Sequence, residues 1–323
     1  MLTYRFVYAY NIIVMNLPAL IEEFLEYLEI EKNASLLTIR DYRHYLDVFA
    51  KWSEANSPIS KPEDLTLELV RKFRVFLAHH INDQGLPLMK VTQNYYVIAL
   101  RSFLRYLVRK DLPVVAPEKI ELPKVESRSL KFLNRDQIEQ LLNQPDISTP
   151  QGMRDKAVME LLFSTGLRVS ELVSLDRERV NLEQGEFGVI GKGGHARVVF
   201  LSDRAKEWIE KYLRLRPDKY KPLFIRYSGA KEDPTGSGED MRLTSRSVQR
   251  ILDKYVAKAK LPVKATPHTL RHTFATDLLI NGADLRSVQE MLGHKNVSTT
   301  QIYTHITNAQ LKDVHKAFHS GNK

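Results

Sequence analysis

The chain has 323 residues, 43% hydrophobic and 27% charged, which suits an ordinary globular protein with enough apolar surface for two cores. Its net charge of +9 and pI near 9.4 favour a polyanionic partner, while the absence of cysteine excludes disulfides, thiolate catalysis and cysteine zinc sites. No apolar run reaches the roughly 18 residues of a membrane span, so the reading is a cytoplasmic protein with no membrane partner. The charge is uneven: residues 1–125 balance at +1 and residues 126–323 at +8. Long-range attraction for an anion therefore belongs mainly to the second part.

Residues 1–16 (MLTYRFVYAYNIIVMN) are apolar and aromatic, without a compact signal-peptide core or a small-residue cleavage site. They read as an N-terminal extension, a strand or a disordered lead-in. From Leu17 to Arg109 the apolar spacing is helical. The first helix carries Leu20, Ile21, Phe24, Leu25 and Leu28 on one side. Ser35 caps a second and Thr66 a third, and a fourth runs from about Leu88 to Arg109. These four make a small helical domain over residues 17–112. Arg40, Arg43, Lys90 and Arg101 fall on polar faces, and Thr92 and Gln93 open the fourth helix, where short polar side chains suit phosphate contacts. These six are the candidate DNA-binding residues of this domain, although charged outer faces are usually only solvated. Residues 113–129 contain Pro113, Pro117 and Pro123 without a helical period and read as an extended linker. A helical domain, a stiff linker and a larger basic domain would let the chain close around a duplex as a C-shaped clamp.

The second domain, residues 130–323, opens with an Asn134–Gln137 capping signal and then a helix from about Pro150 to Ser164, stopped by Gly166. In the TGLRVSEL that follows, Arg168 stands in a tight junction with Glu171 three residues on. An arginine oriented by a carboxylate is preorganised to fork onto an anion. Residues 186–201 (EFGVIGKGGHARVVFL) read as a β-hairpin turning at Gly193-Gly194, with Lys192 beside the turn. Residues 227–241 are polar, of mixed charge and without an apolar anchor, so they read as a flexible surface insertion. The fold class is mainly α with a small hairpin.

Thr266 caps a helix that starts at Pro267 and ends at Gly282. His268 and Arg271 share its first turn, where the helix dipole and free N–H groups also favour an anion. HTLRH lacks the glutamate of a metalloprotease helix, and its arginine would repel a cation, so no metal is expected. Asp284 caps the next helix and Gly293 stops it, displaying His294. Ser298–Gln301 is a capping box for the helix that carries Tyr303. A phenol has a pKa of about 10 and needs a base or positive surroundings to attack at neutral pH. A last helix, capped at Thr307, has the apolar stripe Leu311, Val314 and Phe318. We expect it to dock on a neighbouring protomer; packing on its own protomer is the alternative.

TGLRVSEL, GKGGHAR, PHTLRHTFAT and LGHKNVSTTQIYTH, in that order and spacing, resemble the signatures of tyrosine site-specific recombinases, above all the Xer type. The resemblance spans about Leu17 to Phe318. It implies a helical, SAM-like core-binding domain followed by a catalytic domain with a C-terminal exchange helix. It implies that Arg168 and Arg271 clamp the scissile phosphate and that Lys192 protonates the leaving 5′-oxygen. His268 would transfer a proton near Tyr303, His294 would donate to the phosphate, Glu171 would orient Arg168, and Tyr303 would form a 3′-phosphotyrosyl adduct. The implied partners are a double-stranded recombination site and a homotetramer on it, formed with or without a paralogous recombinase. The implied role is chromosome-dimer resolution through a four-way junction, without metal, ATP or other cofactor. A mobile-element integrase and a catalytically silent DNA-binding protein are the competing readings.

Overall fold

The computed structural model describes residues 16–81, 85–123, 132–191, 194, 196–228 and 236–293. The chain forms two compact units, Met1–Arg128 and Ser129–Lys323. Among the described residues it is mostly helical, with one two-stranded sheet. None of the described helices is long and apolar enough to cross a membrane.

The first unit contains α1 (Leu17–Ile30), α2 (Leu36–Asn56), α3 (Leu67–His79) and α4 (Lys90–Arg109). Asn16, Ser35 and Thr66 begin the first three, each accepting a backbone N–H from the first turn that would otherwise lack a partner. The helices bury one aromatic core. Phe24, Phe49, Phe73 and Phe103 are fully enclosed, and Phe49 meets Phe73 edge to face at 5.0 Å. Each such ring contributes roughly 1.5–3 kcal/mol over an exposed one.

The expected linker begins later than its prolines suggest. The Val115 N–H donates to Leu65 O at 3.0 Å, and Pro117 and Ile120 are buried with the first unit's core. The prolines here shape a strap along the unit, because Ile120 supplies an apolar anchor. Residues 124–131 lie outside the described residues.

In the second unit, α5 (Arg135–Leu142) has the predicted capping box between Asn134 and Gln137. α6 (Pro150–Thr165) is its central helix and is buried nearly all round. Even Lys156 and Glu160 are interior. They pair at 2.9 Å, Lys156 also donates to Leu142 O, and Glu160 accepts from Arg204, so neither buried charge is left unmet. α7 (Val169–Val173) follows after three residues. The antiparallel strands β1 (Glu186–Ile190) and β2 (Ala196–Phe200) come next, in a register that sets Phe187 opposite Val199 and Val189 opposite Arg197. α8 (Asp203–Arg214) packs on α6, and α9 (Ser245–Lys258) contacts α6 and α7. α10 (Pro267–Ile280) lies between α6 and α11 (Leu285–Leu292) and is buried along most of its length.

The expected insertion at 227–241 is anchored at its end. Met241 is buried, and the Lys221 N–H donates to Ser237 O at 2.9 Å. Gly238 has φ +79 and lies so close to Tyr220 that a Cβ would overlap that side chain. Residues 229–235 lie outside the described residues, as do the extension 1–15, the hairpin turn at 192–193 and the two helices expected after Gly293.

Candidate active site

Gly166 sets the geometry of the site. At φ +59 it ends α6 in the left-handed conformation, and the chain turns straight into α7. A Cβ here would sit 2.5 Å from Phe274 Cδ1, so the turn and the α10 approach both require glycine. Gly166→Ala is expected to destabilise the protein by about 1–3 kcal/mol, read as a lowered denaturant midpoint. An unchanged midpoint would mean that Phe274 and the turn yield freely.

Arg168 emerges from this turn immediately before α7. Glu171 answers it twice: Oε2 accepts the Arg168 backbone N–H and Oε1 accepts Nη1, both at 2.8 Å. The Glu171 side chain is 5% exposed, whereas that of Arg168 is 32% exposed and reaches the surface. The predicted role of Glu171 as a support for Arg168 is compatible with this contact. A second guanidinium, which sequence reasoning missed, shares the same carboxylate. Arg197 of β2 donates Nη1 to Oε1 at 2.8 Å and Nη2 to Oε2 at 2.7 Å, and its Nε donates to Met291 O at 3.0 Å. Burial alone would raise the Glu171 pKa, but the bonds from Arg197 and Arg168 outweigh it and hold the carboxyl at about 2. It is a fixed negative charge.

Arg271, on the first turns of α10, is 3% exposed. Its Nη1 donates to Gly166 O at 2.6 Å and its Nη2 to Leu292 O at 2.5 Å. These bonds take two of its five N–H groups and fix the guanidinium plane across three elements. One of them spans 105 residues of sequence. Arg197 on Met291 O and Arg271 on Leu292 O also place two cations at the C-terminal end of α11, where the helix dipole favours positive charge.

His268 lies at the surface one turn before the buried His272, and their Nε2 atoms are 2.9 Å apart. One ring must donate and the other accept, so the pair cannot carry a proton on both facing nitrogens. Dense surroundings first, then the charges of Arg271 and Arg168, lower the His268 pKa below its usual 6.5. The two guanidinium charges acting on His268 place it in one neighbourhood with Arg271 and Arg168. Because the folded pKa is depressed, neutral His268 persists as pH falls through 6.5 and is lost only below it. An NMR titration of the ring should therefore show a midpoint under 6.5, and a midpoint above it would contradict this environment.

Of the sequence-predicted residues, Arg168, Glu171, His268 and Arg271 come together; Lys192, His294 and Tyr303 lie outside the described residues. In the first unit, several DNA-contact candidates are engaged by the fold. Arg43 pairs with Glu22, Arg101 donates to Pro117 O at 2.9 Å, and Gln93 donates to Leu88 O at 2.8 Å. Arg40 pairs with neighbouring Asp41 at 2.9 Å on the surface; Lys90 is exposed and Thr92 half-buried.

Comparison with known proteins gives the family of the chain. The model of the phage integrase family matches residues 131–310, and that of the phage integrase N-terminal SAM-like domain matches residues 21–111. The chain belongs to the phage integrase family. It is 40% identical over 306 residues to tyrosine recombinase XerD of Listeria monocytogenes, covering 93% of this chain and 98% of that protein. It is 41% identical over 309 residues to tyrosine recombinase XerC of Pelotomaculum thermopropionicum, covering 93% and 97%. It shares its fold with the XerH recombinase bound to its difH substrate, at TM-score 0.66 and 24% identity over 93% of this chain and 84% of that one. It likewise shares the fold of the Tn1549 transposon integrase, at TM-score 0.69 and 18% identity over 91% and 99%. The family member described here is thus an Xer-type tyrosine recombinase, an enzyme of site-specific recombination.

Proposed function

We propose that this recombinase cuts and rejoins a double-stranded chromosomal site by the following exchange. Tyr303 attacks the scissile phosphorus through its phenolic oxygen, and the phenolic proton passes to neutral His268. The bond to the 5′-oxygen breaks as Lys192 gives that oxygen a proton, leaving a 3′-phosphotyrosyl adduct and a free 5′-hydroxyl. Arg168 and Arg271 balance the charge that grows on the non-bridging oxygens, and His294 donates to the same phosphate. Glu171 keeps Arg168 in place. One phosphodiester replaces another, so positioning and charge stabilisation suffice.

The observation that carries this reading is the convergence of Arg168, His268 and Arg271 from two distant segments on one positively charged neighbourhood. Two such exchanges in four protomers, through a four-way junction, would resolve chromosome dimers. The helix beginning at Thr307 would bridge neighbouring protomers, with either four copies of this chain or a paralogous recombinase completing the tetramer. In the helical unit, Arg40, Arg43, Lys90, Thr92, Gln93 and Arg101 are the proposed DNA contacts, of which Arg40 and Lys90 remain the most accessible.

The test starts with cross-linking the protein to its host chromosome to recover the bound site. A duplex of that site, nicked so that the cut strand escapes, should trap a covalent protein–DNA complex that survives denaturation. Tight binding without any covalent complex would instead establish a silent binding protein. A bound site near the replication terminus supports dimer resolution, and one flanking a mobile element contradicts it.

A further inference from the structure

We propose that Arg197 is a positioning residue for cleavage: it neutralises Glu171, so that the charge of Arg168 remains available to the phosphate. This rests on the phosphate-clamping role of Arg168 given above. Arg197 lies at the register position of Val189, on the hairpin face that also carries the buried Phe187 and Val199. A strand there would ordinarily hold an apolar residue. Burying a guanidinium (8% side-chain exposure) is costly unless every contact is good. Here the contacts are good, and they all serve the site. Two parallel N–H bonds take both Glu171 oxygens, and Nε takes Met291 O on α11. Gly293 packs against the same side chain, where an added Cβ would lie 3.0 Å from Arg197 Cδ.

The charge balance follows from the geometry. Glu171 with Arg168 alone is a neutral pair, and such a pair closes into a two-pronged fork that turns the guanidinium away from a third partner. With Arg197 occupying both carboxylate oxygens, Arg168 keeps one side-chain bond to Glu171, from Nη1 at 2.8 Å. The trio then carries net positive charge. Arg197 also ties β2, the start of α7 and the end of α11 together through one planar group.

The experiment measures single-turnover cleavage of the nicked site together with DNA affinity and thermal unfolding, for Arg197→Met, Arg197→Lys and Arg197→Met combined with Glu171→Gln. Arg197→Met should bind DNA as wild type does and cleave about 10–100-fold more slowly, the usual loss when an outer support of a charged site is removed. Replacing the carboxylate by an amide as well should recover much of that rate, because the neutral amide still offers Arg168 an oxygen but no longer competes for its charge; lysine should recover part of it. The double variant also holds no unpaired buried carboxylate, so it keeps the test alive if Arg197→Met alone fails to fold. Wild-type cleavage by Arg197→Met would overturn the inference and leave the recombinase reading intact. So would a double variant that folds and cleaves no faster than Arg197→Met. If wild type itself forms no covalent complex, the recombinase reading fails first.

Discussion

Arg271→Ala should lower DNA cleavage by about 10²–10³-fold, and it should also destabilise the fold. The catalytic part follows from charge: removing one fixed donor to a developing oxyanion typically costs about 10²–10³-fold. The structural part follows from burial. Without the guanidinium, Gly166 O and Leu292 O lose buried donors, at roughly 1–3 kcal/mol for each carbonyl left unmet. Arg271→Lys separates the two contributions. An ammonium keeps the charge but cannot span two carbonyls in one plane, so its folding loss should be smaller and its cleavage loss still large. Kinetics on the nicked site and chemical denaturation of the same samples would check both. A lysine variant that cleaves at the wild-type rate would show that the planar fork is unnecessary.

Tyr303→Phe is expected to remove covalent complex formation altogether while leaving site binding intact. The phenolic oxygen is the atom that bonds to phosphorus in the proposed exchange, and phenylalanine retains the ring without it. At neutral pH the phenol is almost wholly protonated, with a pKa of about 10, so a base must take its proton as it attacks. His268, whose pKa is lowered by its surroundings and by Arg271 and Arg168, is in the neutral form this requires. Denaturing gels of wild type and variant on one nicked site give the comparison. A covalent band from the phenylalanine variant would assign the nucleophile elsewhere.

The sequence carried those parts of the fold that depend on local chemistry. Ser35, Thr66, Asn134, Thr266 and Asp284 each begin the helix their position predicts, because a cap acts within three residues. Gly166 and Gly293 stop theirs in left-handed conformations for the same reason. The buried stripe of α1, Ile21, Phe24, Leu25 and Leu28, was legible from the helical period. What escaped was decided by partners far away in sequence. Arg197 looks like any charged residue on a short hairpin until Glu171, 26 residues upstream, and Met291, 94 residues downstream, are folded against it. Its one visible sign was an arginine where the alternation calls for an inward residue. The proline-rich strap reads locally as an extended linker because nothing local reveals that Ile120 has a core to enter. Asn94, near Thr92 and Gln93 at the start of α4, is buried and donates to Pro123 O, a partner 29 residues away. His272 is buried, with its ring packed against that of His268.

In the proposed exchange Tyr303 joins DNA through its phenolic oxygen. Trypsin would release Tyr303 within Asn296–Lys312, in which it is the only tyrosine. Mass mapping of the trapped complex after nuclease trimming should find a nucleotide phosphate on that peptide, located at Tyr303. The same mass on a peptide without Tyr303, or a complex that dissociates into unmodified peptides, would contradict it.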